Sequence, residues 1–366
     1  MSVIRINYMN LIFYTFLSIA TLSSFLANQT KRNNIANIYL VLLSAFLLIF
    51  IAGMRSSYND TATYIFNYQY TLPISLDFFE FNFNNISDSF FVLYQLFLKE
   101  LNIDVQGFIF VSSIFSLLPL ILFIRLYTSN YAYVFMLLIM SGYFFLTMAA
   151  IKQTIAISIG VWSIHYFLKK KYFSYFIVML IAFSFHPFAL MYIACFFLSR
   201  PVWSGVTYLA FLICIFFLLF FNTFISTALI LFQNIGLNYE YEYVANSAGM
   251  NTLRIMVYSI VPITSFFYRR KLIYLNNKFL NIAINFSILG FGIIIIGFAG
   301  GANFFGRAAS YFEVFYLISL AYLLNNLLPN KLRFYAITAS IFCYFFYFYY
   351  WFFILKPFEY KSLFFL

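Results

Sequence analysis

The chain has 366 residues, of which 64% are hydrophobic and 8% charged, with a mean hydropathy of +0.92 and a net charge of +11. These values lie outside the soluble globular range and specify a polytopic membrane protein. They exclude a nucleic-acid-binding module, since no basic stripe sits on a polar unit; loops facing anionic lipid account for the positive charge.

Apolar runs of roughly 17 to 22 residues predict helices near 6–27, 35–53, 105–124, 131–148, 152–168, 203–221, 252–268, 279–298, 308–325 and 334–354. The first is read as a retained span rather than a signal peptide. Its apolar core is long, no small-x-small cleavage site follows it, and its basic residues come after the core. The run near 89–99 is too short to cross and is read as a re-entrant or interfacial helix. Residues 1–366 are therefore expected to form a single integral membrane domain with outer loops at 55–88 and 222–251. Cys195, Cys214 and Cys343 lie in apolar spans without disulfide or metal spacing. The aromatic run 344–353 reads as lipid-facing and interfacial packing.

Lys and Arg set the orientation. With Lys31 and Arg32 inside, Lys169–Lys171 and Arg269–Lys271 stay on the same side only if residues 172–199 form a hairpin. Each arm then has about 14 residues and a length of about 21 Å, less than the roughly 30 Å hydrocarbon core. The break falls at His186-Pro187, and a break at membrane depth requires packing in protein or a watery cavity. This predicts a cavity open to the outside, with His186 near its floor. The fold expected is an all-α polytopic membrane protein of about twelve transmembrane helices, with both termini outside.

Apart from Glu313, every acidic residue falls in an outer loop, namely Asp60, Asp77, Glu80, Asp88, Glu100, Asp104, Glu240, Glu242 and Glu359. Four single cations, Arg55, Lys152, Arg254 and Arg307, stand at outer helix ends. Only Asp60, near Arg55, offers a local acidic partner. Converging, the four suit a polyanion such as a lipid-linked pyrophosphate; separately, each snorkels to headgroups. Arg307 and Tyr311 share a helix face, preceded by Gly300, Gly301 and Gly306 and followed by Glu313, the single carboxylate of the spans. Asp60, His186 and Glu313, in that order, are the candidates for general base or acceptor positioning. Glu313 has the alternative of pairing with a nearby Arg, and His186 that of bonding a carbonyl at the break. His165 is a bystander. No D-x-D pair occurs, and Asp77, Glu80 and Asp88 are too irregularly spaced for a metal loop. A metal-independent activity without cofactor is expected.

Four segments resemble the EpsG/Wzy-type polysaccharide polymerases of bacterial envelope pathways. Gly53-Met54-Arg55 with Asp60-Thr61 and Tyr64 is similar to the family's G-x-R…D-T/Y-x-x-Y. Lys152-Gln153-Thr154-Ile155-Ala156 is similar to its basic-Q-x-I-A helix entry. Ala182 to Leu190 is similar to its A-x-x-F-H-x-S-A-L break, and Gly306-Arg307 with Tyr311 to its R-x-x-x-Y start. Lys152 stands where many relatives have Arg. The resemblance implies a GT-C-like or O-antigen-polymerase-like architecture in the bacterial inner membrane, with the active site facing the periplasm or exterior. It implies transfer of a growing glycan from undecaprenyl pyrophosphate onto a lipid-linked repeat unit, as in O-antigen (lipopolysaccharide) or exopolysaccharide synthesis. Arg55, Lys152, Arg254 and Arg307 are assigned to phosphate, and Tyr64, Gln153 and Tyr311 to substrate. A chain-length regulator is an implied pathway partner.

Three other functions compete. A flippase for the same lipids predicts internal repeats, and none is seen. An O-antigen ligase predicts a larger outer loop, and a lipid-phosphosugar glycosyltransferase an early acidic pair.

Overall fold

In the computed structural model the described residues are 2–30, 34–73, 79–81, 86–234, 248–355 and 360–362. The apolar runs form helices whose starts are set by short polar caps. The first two are α1 (Ser2–Gln29) and α2 (Ile35–Gly53), the latter capped by the Asn34 side chain on the Ala36 N–H. A short strand β1 (Arg55–Ser57) and helix α3 (Thr61–Phe66), prolonged by a π-turn at 67–71, lead to α4 (Ile86–Glu100). Helix α5 (Val105–Tyr127) starts where Asp104 accepts the Gly107 N–H. Then come α6 (Tyr131–Met140), α7 (Tyr143–Ala149), α8 (Ile151–Leu168) and α9 (Tyr172–Phe185). A 3₁₀ segment at 187–194 runs into α10 (Cys195–Leu198), followed by α11 (Gly205–Leu219) and α12 (Phe221–Asn234). The last group is α13 (Thr252–Phe267), α14 (Arg269–Leu275), α15 (Lys278–Ala299), α16 (Ala302–Asn326) and α17 (Asn330–Tyr349), with strand β2 at 361–362. Asn251 and Asn277 cap α13 and α15 through their side chains, satisfying N–H groups that a helix start leaves open.

Helix α16 is the axis of the bundle. Its apolar stretch is 83% buried, against 11% for α17 with its continuation to Phe352, so α16 is enclosed by protein while α17 lies at the rim. α16 packs chiefly on α15, which also meets α11 and α13, while α8 bridges α5 and α9, and α2 lies between α1 and α5. Close approach is paid for with small residues: a Cβ on Gly160 of α8 would sit 2.4 Å from the Tyr192 ring. The Tyr192 hydroxyl in turn donates to the Tyr311 carbonyl at 3.1 Å, tying the 3₁₀ arm to α16.

The hairpin at 172–199 is present as two arms broken at His186-Pro187. His186 is extended (φ −159°, ψ 129°) and its Nδ1 accepts the Phe188 N–H; Pro187 follows at the first position, where a missing N–H costs nothing. Other expectations are corrected. The run 131–148 is not one rod: α6 and α7 meet at 55° around Gly142, whose φ of +89° favours glycine. The run 203–221 likewise ends at Leu219, and α12 leaves at 99°, so the loop expected at 222–251 opens with a helix. Among the described residues five helices are long and apolar enough to cross a membrane, seven if each bent pair is one span. The expected count of about twelve is reached only by adding α1, α8, α13 and the two hairpin arms, which do not pass on length and apolarity. Helix α4 occupies the place of the interfacial helix and packs against α9.

Strand β1 pairs antiparallel with β2, Arg55 opposite Ser362 and Ser57 opposite Lys361. The Tyr360 hydroxyl donates to the Ile51 carbonyl at 2.8 Å and the Ser362 hydroxyl to Met54 at 2.9 Å. An isolated two-stranded ribbon is marginal; here these two bonds pin it to the end of α2.

Candidate active site

The breaks and turns at one end of the bundle enclose a cavity of about 360 Å³. Its walls come from Tyr58-Asn59 after β1, the Ser141-Gly142 break, the starts of α13 and α16, and the end of α17 with the turn after it. Irregular backbone at these points leaves space that straight helices would fill. Gly301, at φ +68°, makes the tight entry to α16.

Arg254, Arg307 and Glu313 all line this cavity. Arg254 lies in the first turn of α13, its guanidinium carbon 5.6 Å from the centre of the Tyr258 ring one turn on, a cation–π arrangement. It runs against α16 at Gly306, where an added Cβ would come within 2.9 Å of Nη1. Arg307, the next residue, forms an ion pair with Asp60 at 3.6 Å. Glu313 is 3% exposed. It lies near Tyr258, Ser141 and Arg254, and its Oε1 has no hydrogen-bond partner among the described residues. The ion pairs formed between described residues are Arg307–Asp60 and Lys152–Asp88. Glu313 therefore does not neutralise an Arg by direct contact.

The remaining predicted residues do not line the cavity. Arg55 is fully enclosed: Nε donates to Thr61 Oγ1 at 3.0 Å, Nη1 to Ser113 Oγ at 3.2 Å and to the Ala52 carbonyl, and Nη2 has no partner among the described residues. Burial pushes this guanidinium down to about 10, with the tyrosines at 360, 64 and 58 opposing the shift, so it stays cationic near neutrality. Burial in turn pushes the Tyr58 and Tyr64 phenols up, leaving them neutral. Asp60, expected beside Arg55, reaches across to Arg307 instead, because Thr61 already occupies Arg55. Lys152 is held by Asp88 at the start of α4. Asp88 is thus engaged rather than merely solvated; Asp77 lies outside the described residues. Gln153 joins α8 to α16, donating to the Arg307 carbonyl at 2.8 Å and to Ser310 Oγ at 2.7 Å, and so fixes the turn that carries Arg307. Tyr64 packs edge-on against Phe91.

His186 does not form the floor of this cavity. Its ring packs against Phe188 and Tyr311, with centroids 5.2 Å and 5.9 Å away, and its Nδ1 is engaged at the helix break. His165 accepts or donates with the Tyr127 hydroxyl at 2.8 Å, far along α8 from Lys152.

Sequence reading missed Ser141, Tyr258, Asn303, Tyr347 and Trp351. Tyr258 was detectable as the i+4 neighbour of Arg254. The aromatic run 344–353 reads from its composition as lipid-facing and interfacial packing, yet Tyr344, Tyr347 and Phe352 are buried, and Tyr347, Trp351 and Phe352 line the cavity. Among the described residues no group of three or more His, Cys, Asp or Glu gathers as for a metal ion.

The model of the EpsG family matches residues 37–363, a span that includes all four motif segments. The chain belongs to the EpsG family. Searches of curated proteins and of solved structures found no match. As an EpsG family member with several apolar helices, it is a multi-pass membrane protein and a polysaccharide polymerase of the glycosyl-transferring kind.

Proposed function

We propose that this EpsG family protein joins undecaprenyl-pyrophosphate-linked repeat units at the outer face of the bacterial inner membrane, without a metal. The observation that carries the reading is one cavity holding two arginines and a buried carboxylate. A hydroxyl oxygen of the incoming lipid-linked unit attacks the anomeric carbon of the growing chain. The bond from that carbon to the pyrophosphate oxygen breaks, and the electron pair leaves with the lipid pyrophosphate. Arg254 and Arg307 face the charge that develops on the leaving group, a role in which one fixed donor is worth roughly 10²- to 10³-fold in rate. The hydroxyl proton passes to Glu313, a general-base contribution of about 10²- to 10⁴-fold.

Glu313 takes precedence over Asp60 and His186 as base because it opens on the cavity that holds the cations. Asp60 orients Arg307 through their ion pair. His186, Gln153 and Tyr311 support the α16 segment, while Arg55, Tyr64 and the Lys152–Asp88 pair brace the outer wall. These are positioning roles.

The test is to supply purified protein in lipid with one defined undecaprenyl-pyrophosphate-linked repeat unit and resolve the products by size. A ladder spaced by one repeat is expected, unchanged by a chelator. Substrate that stays unextended but moves between leaflets would overturn the reading in favour of a flippase, and a ladder lost to chelator and restored by magnesium would overturn metal independence.

A further inference from the structure

We propose that Trp351 and Tyr347, together with the amides of Asn59 and Asn303, form a sugar subsite that seats the ring next to the pyrophosphate. The inference rests on the polymerase reading and names what the uncharged part of the same cavity binds.

The chain has three tryptophans. Two of their indole N–H groups are taken by protein: Trp162 donates to the Pro119 carbonyl at 2.9 Å and Trp203 to Ser265 Oγ at 3.0 Å. The third, Trp351, faces the cavity and has no hydrogen-bond partner among the described residues. Its ring lies nearly parallel to that of Tyr347, 21° between planes and 6.3 Å between centroids. Together they make an aromatic wall with a donor at its edge. Trp351 is half-buried, and its indole N–H is free to donate to a ligand that enters the cavity.

Two amides complete the set. Asn59 stands at a left-handed turn position, φ 45°, and Asn303 in the first turn of α16; both are exposed and both line the cavity. Neither side chain bonds another described residue. An amide offers a donor pair and an acceptor, whereas an indole only donates.

A pyranose ring is the ligand with the matching surface. One face carries C–H groups that suit an aromatic plane, and its rim of hydroxyls both donates and accepts. A cavity of about 360 Å³ is at the lower end of small-molecule sites, roughly 300–1,000 Å³. It therefore takes one sugar with its pyrophosphate and leaves the rest of the glycan outside. Arg254 and Arg307 take the anion, and the amides and the indole select the sugar.

Binding is measured on detergent-purified full-length protein by saturation-transfer NMR and equilibrium dialysis. Two probes are used: the free one-repeat oligosaccharide cleaved from the cell's own polymer, and inorganic pyrophosphate. Trp351→Phe keeps the ring and removes the donor; Asn303→Ala removes one exposed amide. Each is expected to weaken the oligosaccharide by about 3- to 10-fold and leave pyrophosphate binding and thermal unfolding unchanged. Arg254→Gln is expected to do the reverse. Oligosaccharide affinity unmoved by both sugar-side variants, or no oligosaccharide binding by wild type in the millimolar range, overturns the subsite. Trp351-dependent sugar binding without pyrophosphate binding upholds the subsite and overturns the arginine assignment instead.

Discussion

Arg55 and Arg254 carry the same group in opposite settings, and the settings predict two kinds of loss. Arg55 donates to a carbonyl and two hydroxyls in an enclosed site, so Arg55→Ala orphans buried acceptors, at about 2–4 kcal/mol. A lowered unfolding temperature in detergent and reduced protein yield are expected, with polymer falling in proportion to folded protein. Arg55→Lys keeps the charge but not the fork of donors and is expected to recover only part of the stability. Arg254 forms no ion pair with another described residue and faces the cavity. Arg254→Ala is expected to leave unfolding nearly unchanged and lower the rate of chain extension by roughly 10²-fold, and Glu313→Gln by about 10²- to 10⁴-fold. Single-turnover extension assays, normalised to folded protein, separate these cases. The sequence placed all four cations at one end of the bundle, which the fold reproduces. It did not reveal which were already engaged, because Asp60 and Asp88 choose partners distant in sequence from the cations nearest them.

Broken helices build the cavity, so substitutions at the breaks are expected to act on geometry rather than on chemistry. Gly142→Ala places a side chain at φ +89°, a strain of about 1–2 kcal/mol, although the new Cβ itself would meet Phe352 only at 3.5 Å, an ordinary contact. A modest fall in unfolding temperature with a larger fall in polymer is expected. Gly306→Ala instead drives a Cβ to 2.9 Å from Arg254 Nη1; the guanidinium is the mobile partner, so chain extension is expected to drop while stability holds. Legibility differed between the breaks for a physical reason. Pro187 marks its own break because it lacks an N–H and restricts the residue before it. Ser141-Gly142 sits within a continuous apolar run, where one glycine is compatible with an unbroken helix. The aromatic run after Tyr344 was ambiguous in the same way: Phe345 and Phe346 are exposed while Tyr344 and Tyr347 are buried, and composition does not distinguish the two faces.

At the scale of the whole molecule, hydropathy was enough to establish a multi-pass membrane protein, and the repeated apolar runs located nearly every helix. Two properties escaped it. A count of spans depends on length at membrane depth, and the arms of the broken hairpin fall short of it. The pairing of β1 with β2 joins residues about 300 positions apart through two or three residues each, too short for any alternating pattern to register. It predicts that Ser57→Cys combined with Lys361→Cys forms a disulfide on mild oxidation, detected as a shift on non-reducing gels after cleavage between the two cysteines. Absence of that species in folded protein would refute the register.

That pairing also orders events in time. The segment bearing Arg55 and Asp60 is synthesised about 300 residues before the strand that closes over it. Until then the ribbon edge beside Arg55 stays open, and a nascent chain halted anywhere before residue 360 lacks the closure however well its helices have inserted. Translation thus withholds completion of this corner of the protein until every helix from α1 to α17 has been made.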